Sequence, residues 1–69
     1  MTTRLRDDDG AWVAAGDRIR FSYGIPPACV IADIVSRGGE LVGLAPDHNP
    51  PEFLLRSLRN YVGVWYKAN

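Results

Sequence analysis

Apolar and polar residues alternate through the stretch RIRFSY, with Ile19, Phe21 and Tyr23 on one face and Arg18, Arg20 and Ser22 on the other. A period of two predicts a half-buried strand over 17–23, entered through the turn Gly16-Asp17. The loop Gly24-Ile25-Pro26-Pro27 ends it, because proline fixes φ and cannot donate a ladder hydrogen bond. Residues 28–36 (ACVIADIVS) are almost continuously apolar and β-branched, which predicts a central strand covered on both faces. Arg37-Gly38-Gly39 signals a tight hairpin, since glycine tolerates the positive φ such turns demand. Residues 40–45 return as its partner, and Gly43 in the middle marks a bulge or a close backbone approach.

The remaining elements are shorter. PDHNPP, over 46–51, excludes regular structure. A fourth strand is expected at 52–55, one tight helical turn at 56–60 and a fifth strand at 62–67. In that last strand Val64 and Tyr66 are assigned to the core face, leaving Trp65 and Lys67 outside. Residues 1–10 are polar, charged and closed by a glycine, so they read as a flexible arm. Residues 11–69 form the domain, with Trp12-Val13 lying along it as an edge segment. The pattern predicts an all-β protein, a five-stranded small barrel with a single helical turn before the last strand. A helical bundle is excluded by two Pro-Pro pairs and seven glycines, which leave no long stretch of 3.6 period.

Size sharpens this picture. A chain of 69 residues has room for one domain and a thin stability margin. One cysteine, Cys29, excludes an internal disulfide, and one histidine, His48, leaves no Cys/His cluster for structural zinc. No cofactor or metal is therefore expected. Tight packing or self-association must supply the missing stability, and a 46% hydrophobic content can furnish both a core and an interface. The net charge is zero, which offers no global attraction to nucleic acid or an anionic membrane. Charge is unevenly spread, however. Asp7, Asp8, Asp9 and Asp17 crowd residues 7–17 without a base, and Arg56, Arg59 and Lys67 occupy 53–69 without an acid. No apolar run is long enough to span a bilayer, no signal-peptide core opens the chain, and a lone thiol suits a reducing cytoplasm.

The string GDRIRFSYG resembles the opening strand of SH3-like small barrels of the Tudor, KOW and plasmid-type dihydrofolate reductase kinds. FLLRSLRNYV resembles their last two strands with the intervening turn. The chain also looks like small proteins of bacterial, prophage and plasmid genomes. The resemblance implies an SH3-like fold over 16–67 and no single activity. Pro27-Ala28-Cys29 replaces the glycine that KOW modules carry after their first loop. Glu52-Phe53-Leu54-Leu55 replaces the Val-Gln-Ile-Tyr stretch of the plasmid reductases, and the chain has no glutamine, so the reductase activity does not carry over. Tudor-like readers hold methylated cations in an aromatic cage, to which Trp12, Tyr23 and Tyr61 are the available contributors.

Candidate chemistry is sparse. Asp47 and His48 are neighbours in a proline-bounded loop with no serine or threonine aimed at them, so His48 reads as a turn residue rather than a general base. Cys29 lies among apolar neighbours and reads as a small buried hydrophobe. Asp33 interrupts the central strand and is expected to pair across the sheet with Arg18 or Arg20. Neither Gly38-Gly39 nor the Asp7–Asp9 run has the context of a phosphate loop or an acid–base pair. These observations favour a non-enzymatic interaction module that binds itself or another protein, with Trp12, Tyr61 and Trp65 as partner-binding residues. The alternative is a nucleic-acid-binding barrel, in which Arg18, Arg20, Arg56 and Arg59 form a basic strip with flanking aromatics.

Overall fold

Gly38 and Gly39, with φ of +60° and +83°, make a two-residue turn that pairs Arg37 directly with Glu40. Positive φ at both positions matches the right-handed twist of the flanking strands, so this hairpin sets the register of the sheet. The structure is a computed structural model that describes residues 4–48 and 50–68. Its elements are β1 (Leu5–Arg6), β2 (Trp12–Val13), β3 (Arg18–Tyr23), β4 (Ala28–Arg37), β5 (Glu40–Leu44) and β6 (Glu52–Leu54). They are followed by a 3₁₀ turn (Leu55–Ser57), a short helix α1 (Arg59–Val62) and β7 (Tyr66–Lys67). A five-stranded antiparallel sheet runs in the order β6-β5-β4-β3-β7, and β1 pairs with β2 as a separate hairpin. The protein is all-β apart from the helical segment between β6 and β7.

Register assigns every side chain to a face, because directly opposed residues of an antiparallel pair lie on the same side. Ile19 opposes Ala32, and Phe21 opposes Val30. With Ile34, Leu41 and Ala45 these residues form the inner face, on which Val13, Leu55, Leu58 and Trp65 close the core. Arg18, Asp33, Leu44 and Glu52 form one row of the outer face, and Val35, Val42 and Leu54 the next. The strand expected at 17–23 and the alternation of its side chains hold.

Gly43 is a point of close approach. It opposes Phe53, and a Cβ at this position would overlap the Phe53 ring. Only a residue without a side chain lets that ring lie across β5 on the inner face.

Three expectations are corrected. First, β4 is covered on one face only: Ala32 and Ile34 are buried, whereas Ile31 is 48% exposed and Cys29 is exposed rather than buried. The N-terminal hairpin and the helical segment both pack on the inner side, so among the described residues no element covers the first half of β4 outside. Second, the five strands do not close into a barrel. No ladder joins β6 to β7 among the described residues, and the sheet is open. Third, the last strand is short and turned over. Val62 completes α1, Gly63 (φ +80°) terminates it, and only Tyr66–Lys67 pairs with β3. Trp65 is consequently buried at 3% exposure, while Val64 is 49% exposed and Tyr66 opposes Arg20 on the outer face.

Within the stretch expected to be a loose arm, Leu5–Arg6 forms β1, and residues 1–3 lie outside the described residues. Leu5 pairs with Val13 and packs against the core, and Asp7 is buried. Asp7 Oδ1 accepts hydrogen bonds from the amides of Asp9 (2.9 Å) and Ala11 (2.8 Å), closing the β1–β2 turn. Its Oδ2 accepts from the Lys67 amide at 2.8 Å. Asp8 adds a second clasp: its Oδ2 accepts from the Trp65 amide at 2.9 Å, and its own amide donates to the Trp65 carbonyl at 3.2 Å. Two carboxylates thus join the N-terminal hairpin to the C-terminal strand.

Candidate interaction surfaces

An aromatic groove of about 180 Å³ lies between the end of β3, β6 and the helical segment. Tyr23 contributes from the last position of β3, where alternation turns it inward beyond the edge of the core. Phe53 contributes from β6 over the bare backbone of Gly43, and Tyr61 and Val62 from α1. Tyr61 is 68% exposed, and Tyr23 and Leu54 are also exposed. Apolar side chains held open to water in this way are the residues that anchor interfaces.

His48 sits at the centre of the aromatic cluster. Its ring meets Tyr23 edge-on at 4.8 Å, Phe21 at 5.7 Å and Phe53 at 6.4 Å. Phe21 and Phe53 pack edge-to-face at 5.6 Å beneath it. The loop that delivers the ring is fixed by its backbone. The His48 amide donates to the Ala45 carbonyl (2.9 Å), and the Ala45 amide donates to the Pro51 carbonyl (2.8 Å). His48 is therefore a turn residue, as its proline-bounded setting suggested, and a wall of the groove as well.

The residues assigned to partner binding do not converge. Tyr61 lines the groove. Trp12 stands 42% exposed on the N-terminal hairpin, with the guanidinium carbons of Arg4 and Arg6 at 4.0 and 4.5 Å from its ring centre. Trp65 belongs to the core, 3% exposed, and shares no groove with Trp12 or Tyr61. A cage of Trp12, Tyr23 and Tyr61 is not formed either, since only the two tyrosines share the groove.

The arginines divide into two groups. On the outer face Arg18 Nε meets Asp33 Oδ1 at 2.8 Å, the expected cross-strand pair, and Arg20 stacks on Tyr66 at 5.3 Å. Arg56 and Arg59 lie on the helical segment, paired with Glu40 (3.2 Å) and Asp8 (3.0 Å). Arg37 reaches Glu52 across β5 on the outer face. Val42 is buried on that face without belonging to the core cluster, a burial consistent with an arginine stem spanning it.

Asp7 titrates below an ordinary aspartate. Burial pushes its carboxyl up, but hydrogen bonds from the Lys67, Ala11, Asp9 and Gly10 amides outweigh this and hold it below the ordinary aspartate value. Sequence reasoning placed this residue in solvent. The signal available was only its position two residues before a glycine turn, a pattern shared by many solvated acids. Leu54, Phe53 and His48 were likewise not assigned to a surface, because each joins the groove through contacts distant in sequence.

Among the described residues, no helix is long and apolar enough to cross a membrane, and no group of three His, Cys, Asp or Glu side chains is arranged to hold a metal ion. Comparison with known protein families, curated proteins and solved structures finds no match.

Proposed function

We propose that the protein is a non-enzymatic interaction module that associates with a second copy of itself through the aromatic groove. The observation that carries this reading is the exposure of Tyr61, Tyr23 and Leu54 around one apolar concavity. A chain of 69 residues without a disulfide gains stability from burying such a surface, and a twofold contact lets the same patch meet itself. Leu54 lies on edge strand β6 and continues the groove onto the outer face, where Ile31 is also exposed. The strand order, in which the last strand pairs with the first strand of the sheet and a 3₁₀ turn precedes it, supports an SH3-like reading of the fold. The lone exposed thiol fits a reducing cytoplasm.

Sedimentation velocity over a concentration series tests the proposal. The wild-type protein is expected to shift to a dimer as concentration rises, and Tyr61→Ala to remain monomeric with an unchanged circular dichroism spectrum. A wild-type chain that stays monomeric throughout overturns self-association. The nucleic-acid reading ranks second, because Arg18, Arg56 and Arg59 are each held by a carboxylate and do not line one strip with Arg20. Its own signature is a complex with DNA or RNA that weakens steeply with salt.

A further inference from the structure

The open sheet has two edges, and the chain treats them differently. At the β7 edge the N-terminal hairpin takes the outward amides. The Lys67 N–H donates to Asp7 Oδ2 at 2.8 Å, and the neighbouring Trp65 N–H donates to Asp8 Oδ2 at 2.9 Å. At the β6 edge no side chain makes such a cap among the described residues.

Ladder geometry fixes which groups of β6 face outward. The Ala45 amide donates to the Pro51 carbonyl, so residues 45 and 51 form a hydrogen-bonded pair, and in an antiparallel ladder such pairs alternate with non-bonded ones. Gly43 and Phe53 are therefore the next bonded pair, while Leu44–Glu52 and Val42–Leu54 are non-bonded. The N–H and C=O of Glu52 and the N–H of Leu54 consequently point away from β5. The Phe53 ring lies over Gly43, towards β5 and away from that edge. All three residues of β6 also line the aromatic groove, so the groove runs beside these backbone groups.

We propose that β6 pairs antiparallel with β6 of a second copy, across a twofold axis at Phe53, which joins the two sheets into one. The inference rests on the self-association proposed above and gives it a geometry. In this register Glu52 stands opposite Leu54 of the second copy, and each such pair exchanges N–H···O=C bonds. The length of the edge selects the occupant. Pro50-Pro51 bound β6 on one side and the 3₁₀ turn on the other, leaving three residues. An equally short strand matches that edge, whereas a long extended peptide overhangs it. On the outer face the exposed Leu54 side chains of the two copies become diagonal neighbours beside the axis, which removes apolar surface from water. Because the β7 edge is capped, strand addition stops at two copies and gives a closed dimer rather than a fibre.

Amide hydrogen exchange followed by NMR, below and above the concentration at which sedimentation detects the dimer, tests this pairing. The Glu52 and Leu54 amides are expected to exchange about tenfold more slowly in the dimer. Glu52→Pro removes an outward donor without touching a ladder bond to β5, so it is expected to stay folded and lose the dimer. Arg37→Gln breaks the same ion pair with Glu52 but keeps the amide, and is expected to dimerise as the wild type does. Exchange in the wild-type chain decides the matter even where Glu52→Pro does not fold. A dimer whose Glu52 and Leu54 amides stay unprotected, a folded Glu52→Pro that still dimerises, or a monomeric Arg37→Gln overturns the edge pairing. In the first two cases a dimer forms and self-association through the groove stands, whereas a wild-type chain that never dimerises removes both.

Discussion

The seam between the N-terminal hairpin and β7 and the aromatic groove beside β6 solve the same problem in opposite ways. Both attach a short peripheral segment to the five-stranded sheet. The seam does so with carboxylates: Asp7 and Asp8 take backbone amides from Ala11, Trp65 and Lys67, and Trp65 fills the space beneath. The groove does so with rings, Phe53 lying on Gly43 and His48 lying between Tyr23, Phe21 and Phe53. Directional bonds to backbone fix the hairpin on β7 through named donors and leave Asp7 buried. Ring contacts are non-directional and end wherever the rings end, so the tyrosines at the margin remain open. The region that is polar in sequence is thus the closed one, and the region rich in aromatics is the one available for contact.

Substitutions can break this contrast at several points. The largest effect is expected for Trp65→Ala, which empties the core under the seam and should cost about 3–5 kcal/mol. In so small a domain that leaves most molecules unfolded at room temperature, as circular dichroism would show. Trp12→Ala, on the exposed side of the same hairpin, should change the midpoint of thermal unfolding little. Equal losses for the two tryptophans would contradict the inward placement of Trp65. Next comes Gly43→Ala, whose methyl group must displace the Phe53 ring, at about 1–3 kcal/mol by denaturant titration.

The seam is also sensitive to pH. Asp7 has a depressed carboxyl pKa in the folded protein, so its stabilisation is fully present above the unfolded aspartate value of about 3.9 and is lost as pH falls through the lower folded value. Asp7→Asn is expected to cost about 1–2 kcal/mol at pH 7 and to flatten the acid limb of the stability curve. A variant with the same acid limb as wild type would show that the clasp is not anionic. The smallest effect is reserved for Arg18→Ala. Its partner Asp33 is 62% exposed, and such pairs contribute about 0–1 kcal/mol.

Much of the sheet was legible in the sequence. The alternation over 18–23, the Gly38-Gly39 hairpin and the Arg18–Asp33 pair are local or near-neighbour features, fixed by period and turn chemistry. Gly43 announced a close approach but could not name Phe53, since only the pairing of β5 with β6 brings them together. Of the aromatics assigned to partner binding, Tyr61 and Trp12 are exposed and Trp65 is not. Trp65 was misassigned because alternation was extended across residues 62–67, which α1 and Gly63 interrupt. A change of phase by one residue reverses every side chain in a strand.

What the sequence determined by itself is the run of strands from β3 to β6 and the Gly38-Gly39 hairpin, because these follow from period, proline and glycine acting over a few residues. Tertiary structure decided which acids are buried, which tryptophan is exposed, and that the sheet stays open. Those outcomes depend on contacts between Asp7 and Lys67, or Asp8 and Trp65, that span almost the whole chain. A carboxylate in the run Asp7–Asp9 carries no local mark that distant amides will reach it, and only the folded chain brings those donors within bonding distance.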